Sequence, residues 1–119
     1  MYTKDEKTEI WLDSFRLEYA KKAQLYKLCT EPYDLVKQFA KLRSKVGEIV
    51  GEESLAAMEK SLSSGEYMRS LLAKYTEKSI TCVTFSSELY PEDLRQIPDP
   101  PLVLYARGNL ELLREPKFA

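Results

Sequence analysis

The sequence predicts a mainly α-helical chain, about five helices followed by the opening β-α-β unit of an α/β sheet. Three observations predict it. Over the first two thirds, apolar residues recur every three or four positions, the period of a helix with one buried stripe. At Ser79 the pattern changes to a β-branched and aromatic run, Ile80-Thr81-Cys82-Val83-Thr84-Phe85. After a proline-rich crossing, Leu102 to Ala106 is continuously apolar, as in a strand covered on both faces.

In chain order, Met1 to Lys7 is polar and is expected to fray. Helix one is predicted over 8–15, with Ile10, Trp11, Leu12 and Phe15 inward. Helix two covers 17–29 through Ala20, Ala23, Leu25 and Leu28. Thr30 is expected to cap the third and longest helix, with Glu31 and Pro32 in its first turn. Leu35, Phe39, Leu42, Val46 and Ile49 form its seam, and Gly51 ends it. A fourth helix is predicted over 52–62, with Leu55, Met58, Glu59 and Leu62 on one side. Ser63-Ser64-Gly65 is a turn, and a fifth helix over 66–78 faces inward through Tyr67, Leu71, Leu72 and Tyr75. Trp11 and Phe39 are placed in one core.

The crossing runs from Ser86 to Pro101, and Tyr90 to Asn109 reads as connector and buried strand together. Pro91 suits the start of a short helix, with Glu92 and Asp93 at its positive end. Pro98, Pro100 and Pro101 then hold the chain extended. About sixteen residues containing a helix suffice for a parallel connection, so a right-handed parallel unit is expected. Arg107-Gly108-Asn109 is turn chemistry, and Asn109 is suited to cap a short helix at Leu110 to Leu113.

Composition excludes several classes. The chain has 119 residues and a net charge of −1, so no global field draws it to nucleic acid. Residues 1–79 carry 14 basic and 13 acidic groups, and residues 80–119 carry 4 and 6. There is no histidine, which removes the commonest general base and metal ligand. Cys29 and Cys82 lack metal-ligand spacing and read as buried free thiols. Ser63-Ser64 and Ser86-Ser87 have no base at readable spacing and read as turn or cap residues. The acidic pairs Asp5-Glu6, Glu52-Glu53 and Glu92-Asp93 fall at predicted helix starts, where they favour the dipole. With four glycines in all, no phosphate loop is possible. No catalysis, cofactor or metal is expected, and no signal peptide or long apolar span points to a membrane, so a cytoplasmic location is the default. The candidate nucleic-acid contacts are Lys37, Lys41 and Lys45, which recur every four residues opposite the apolar seam. A solvated helix face is the other reading of that row.

The stretch from Tyr90 to Asn109 resembles the DNA-processing protein A family (DprA, also called Smf). In that family a short helix beginning Tyr-Pro leads to a motif close to I-x-D-P-P-x-V-L-Y-x-x-G-N. The matching residues are Tyr90, Pro91, Leu94, Ile97, Pro98, Asp99, Pro100, Pro101, Leu102, Val103, Leu104, Tyr105, Gly108 and Asn109. Tyr90, Pro91, Pro98, Asp99, Pro100, Pro101, Gly108 and Asn109 are taken as a structural motif. The resemblance implies a SAM-like helical domain over 1–78 and the incomplete start of a Rossmann-type domain over 79–119. The ending looks like the run into a central strand, after which the family continues with a Gly-Ser-Arg or Gly-Thr-Arg loop. An N-terminal piece of a longer protein is therefore expected. That protein, by resemblance, binds single-stranded DNA and helps load the RecA recombinase in natural transformation. Many members carry a Gly-x-Gly hairpin between the first two helices. Here Phe15-Arg16-Leu17-Glu18-Tyr19 holds that place without glycine, which favours a structural or protein-contact role. The alternative is the helical appendage of a nucleotide-binding Rossmann enzyme. Self-association through exposed strand edges is a further expectation.

Overall fold

The computed structural model describes residues 2–107. Among them are seven helices: α1 (Lys4–Asp13), α2 (Tyr19–Tyr26), α3 (Pro32–Lys37), α4 (Phe39–Val50), α5 (Glu52–Leu62), α6 (Glu66–Glu77) and α7 (Glu92–Arg95). Two strands, β1 (Ile80–Thr84) and β2 (Val103–Arg107), complete the order, with α7 between them. Gly108, Asn109 and the helix expected at 110–113 lie outside the described residues.

Helix α1 starts earlier than its polar leader suggests. Thr3 and Glu6 form a reciprocal capping box: Glu6 N donates to Thr3 Oγ1 at 3.1 Å, and Thr3 N donates to Glu6 Oε1 at 2.8 Å. Two donors left open at a helix start are thereby satisfied, and the expected fraying of 1–7 is corrected. The expected third helix is two helices. Gln38, at φ −107° and ψ 19°, leaves helical geometry, so α3 packs on α1 while α4 packs on α2 and α5. Tertiary contact overrides a seam that is locally continuous. Gly51 does end α4, at φ 88°, a conformation that favours glycine, and α5 begins at once. The acidic pairs at 5–6, 52–53 and 92–93 stand in the first turns of α1, α5 and α7.

The main core gathers Trp11, Leu12, Leu25, Leu35, Phe39, Val46, Val50, Leu55 and Met58. Trp11 and Phe39 meet edge to face, with ring centroids 6.2 Å apart. Trp11 Nε1 donates to Ser61 Oγ at 2.7 Å, so the buried indole N–H is not orphaned. A second cluster joins Ile10 to Cys82 and Val103, flanked by Leu71, Leu72 and Tyr75. The helices therefore cover one face of the strands. Glu59 departs from the expected inward face of α5 and pairs with Arg43 instead.

The strands pair antiparallel, with Ile80 opposite Arg107 and Thr84 opposite Val103. The expected parallel β-α-β unit is thus not what forms. A parallel return must carry the chain back along the whole strand. Residues 85–102 are enough for that reach, so length does not decide the direction. The crossing instead folds onto the end it left: Phe85 N donates to Leu102 O at 2.9 Å, and Tyr90 Oη donates to Pro101 O at 2.6 Å. Nor is β2 covered along its length: Val103 is buried, Leu104 and Ala106 are half-buried, and Tyr105 is 46% exposed. The described fold is mainly helical with a small antiparallel pair.

Candidate nucleic-acid interface

The three predicted lysines do not form one row. Lys37 ends α3, while Lys41 and Lys45 lie four apart on α4, beyond the break at Gln38. All three are exposed, and none makes an ion pair among the described residues. Lys41 and Lys45 share a helix face opposite Phe39, Val46 and Val50, which face the core. Arg43 beside them is held by Glu59 at 2.6 Å. Of the lysines on α2, Lys22 is taken by Asp13 at 3.0 Å. What remains is a pair of solvated cations on α4 with Lys37 on a separate helix, able to meet a phosphate backbone but not to read bases.

Of the segment between the first two helices, Phe15 points inward. Phe15 lies edge to face with Trp11 at 5.3 Å and stacks on Tyr67 at 5.8 Å. Its exposed members include Glu18, whose charge repels phosphate.

The motif at the crossing is a built structural unit. Tyr90 is buried, with its ring 5.3 Å from Phe85. The Arg95 guanidinium lies 4.9 Å from the Phe85 ring centre and 5.2 Å from that of Tyr90. Arg95 Nη2 donates to Ser87 O at 2.9 Å, and Nε is 3.5 Å from Glu92 Oε1. Pro91 is the N-cap of α7, one place before its expected first position. Pro98 and Asp99 are exposed, and Pro100 and Pro101 are half-buried. Burial, and then the charge of Asp99, push the Tyr19 phenol up.

Sequence reasoning passed over Glu9. Its side chain is fully buried and accepts from Tyr26 Oη at 2.6 Å, Ser86 N at 3.1 Å and Ser86 Oγ at 2.8 Å. Burial first, then the bond to Glu9, push the Tyr26 phenol well above its ordinary range. The signal was in the sequence: Glu9 is a carboxylate directly before the apolar run Ile10-Trp11-Leu12. The void beside it has no room for a water molecule, so this carboxylate ties α1 to α2 and the loop after β1 and meets no substrate.

Also missed was a groove of about 820 Å³ at the α5–α6 hairpin, whose walls include Lys60, Tyr67 and Lys74. Ser63 and Ser64 take the expected turn and cap roles there, through Lys60 O and Glu66 N. Both thiols are free. Burial pushes the Cys29 and Cys82 thiols up, so neither is an activated nucleophile. Cys29 is only partly buried, against expectation. Among the described residues no group of three ligating side chains is placed to hold a metal, and no helix is long and apolar enough to cross a membrane.

Comparison with known proteins bears on the last third of the chain. Residues 81–119 match the model of the family described as DNA recombination-mediator protein A. A curated relative, the DNA processing protein DprA of Bacillus subtilis (strain 168), is 46% identical over 43 residues, which are 36% of this chain and 14% of that protein. The match therefore spans about one seventh of the relative's length. No solved structure matches the chain significantly. Residues 81–119, which run from β1 through the Tyr-Pro crossing and beyond it, are thus similar to the DNA-processing protein A family.

Proposed function

We propose that the chain works as part of a cytoplasmic, non-catalytic DNA-recombination mediator that binds single-stranded DNA and assists RecA loading during natural transformation. The observation that carries this reading is the family match over residues 81–119, which includes the whole crossing from Ser86 to Pro101. Residues 1–78 act as a SAM-like helical module, and 79–119 open the Rossmann-like DNA-processing domain. Within the described residues the role is structural and protein-contacting. Lys37, Lys41 and Lys45 add weak phosphate contact, and Tyr90, Pro91 and the prolines with Asp99 hold the crossing in shape.

The test is titration of labelled single-stranded oligonucleotide at about 150 mM salt. This chain is expected to bind far more weakly than the roughly 10⁻⁸ M of a tight specific binder. A longer protein carrying the rest of the family's sequence is expected to bind tightly. Tight binding by this chain alone, or none by the longer protein, would overturn the reading. Changing Lys37, Lys41 and Lys45 to Glu is expected to abolish whatever weak binding this chain shows.

Self-association belongs to the same proposal. Among the described residues each strand has one neighbour, so each has a second edge. Edge addition between copies would pair those open groups. Light scattering is expected to show a concentration-dependent dimer, and a strict monomer at high concentration would refute it.

A further inference from the structure

We propose that the groove at the α5–α6 hairpin docks an acidic amphipathic helix of a protein partner, a proposal that rests on the protein-contact role given above. Helix α6 is amphipathic yet contributes no fully buried residue to the described fold. Tyr67, Ser70, Leu71 and Lys74, at positions i, i+3, i+4 and i+7, line the groove from its side. From α5 come Ala57, Lys60 and Ser61. Ala57, Ser61 and Ser70 are short, so the facing walls stay low and about 820 Å³ is left between them. The floor is apolar and firm, because Phe15 and Tyr67 stack with their planes 1° apart.

Charge selects the occupant. Lys60 stands on one wall and Lys74 on the other, both exposed, and neither makes an ion pair among the described residues. The one carboxylate in the lining, Glu66, is already paired with Arg69. A helix with apolar anchors at i, i+3, i+4 and i+7 would cover the floor, and an acidic residue on each flank would meet a lysine. A nucleic-acid strand fits less well. It would present a run of phosphates to only two lysines with the Glu66 carboxylate in the lining, so the electrostatic gain would be small.

The experiment titrates the isotope-labelled 119-residue chain by NMR with a synthetic peptide. The peptide is an amphipathic helix of about 16 residues, long enough to hold some helix in water, with Leu anchors flanked by Glu. Saturable shifts are expected across residues 57–74 and at the Trp11 indole N–H, which is bonded to Ser61 on the groove wall. The exposed double variant Lys60→Glu, Lys74→Glu is expected to weaken binding about tenfold, through rim charges that set rate and salt dependence. A Lys-flanked peptide is expected to prefer that variant over the unchanged chain. No saturable shift at the groove, or equal binding of both peptides to both proteins, overturns the proposal. An oligonucleotide that shifts the same residues overturns it in favour of a nucleic-acid site. Failure of the longer protein to bind single-stranded DNA would sink the recombination reading while leaving this titration unchanged, so the two failures are separable.

Discussion

Three consecutive residues of α1 meet three different neighbours, and two of them make an instructive pair. Trp11 enters the helical core among Phe15, Phe39 and Met58, where contact is apolar and only the indole N–H needs a partner. Glu9 enters the contact with α2 and the loop after β1, where a buried carboxylate collects three donors. The apolar side is stabilised in proportion to the area it buries and is forgiving of shape. The polar side is stabilised only if every donor finds its oxygen, and it fixes one register of the loop against the helix. One helix therefore gains strength from one side and uniqueness from the other.

The largest expected effect breaks the apolar side. Trp11→Ala should lower stability by about 3–5 kcal/mol, seen as a clear drop in the denaturation midpoint. An unchanged midpoint would mean that the helical core does not depend on α1.

The polar side should give a smaller but more discriminating loss. Glu9→Ala leaves the Tyr26 hydroxyl and the Ser86 donors without their oxygens. It also releases a buried charge, so a net loss of about 1–3 kcal/mol is expected. Glu9→Gln keeps an acceptor and should lose less. Equal losses for the two variants, measured by urea unfolding, would show that the network is not the stabilising contact.

The smallest effect sharpens the comparison through pH. The Tyr26 phenol is raised in the fold above its ordinary 10.0. As pH rises past 10, the unfolded chain releases this proton while the folded chain keeps it. The associated stability is complete below pH 10 and is lost above it. Tyr26→Phe should therefore flatten the alkaline fall in stability, while losing only about 1 kcal/mol at neutral pH from one hydrogen bond. An alkaline slope that does not change would assign it to the other raised tyrosines, such as Tyr105 beside Asp13.

These contrasts also explain what the sequence could and could not reveal. Helix α5 over 52–62 and the stop at Gly51 were legible because they depend on local period and on one backbone conformation. The meeting of Trp11 with Phe39 followed from two apolar seams. The likeness to the family over 81–119 was legible in the Tyr-Pro and Asp-Pro-Pro strings of the crossing. The break at Gln38 was not legible, because the seam runs through it and only packing on α1 and α5 separates α3 from α4. The strand direction was misjudged because the length of the crossing allows either direction, and the contacts that fold it back, such as Phe85 N to Leu102 O, are tertiary. Lys37, Lys41 and Lys45 looked like one row for the same reason as the unbroken helix. Glu9 and the α5–α6 groove depend on partners up to 77 residues away in sequence or on a turn's geometry.

The bonds of α1 to the strands also set an order of events during synthesis. Tyr2 Oη accepts from Cys82 N, Glu9 accepts from Ser86, and Asp13 accepts from Tyr105 Oη, across separations of 80, 77 and 92 residues. Within this stretch α1 is thus made long before the residues that complete its contacts. Until residue 86 emerges, the Glu9 carboxylate remains hydrated, and the apolar side of α1 alone can engage the helices already made. Closure of those long loops comes late and slows the final step. The strand pair can therefore be bonded to α1 only after all six helices before it have been made.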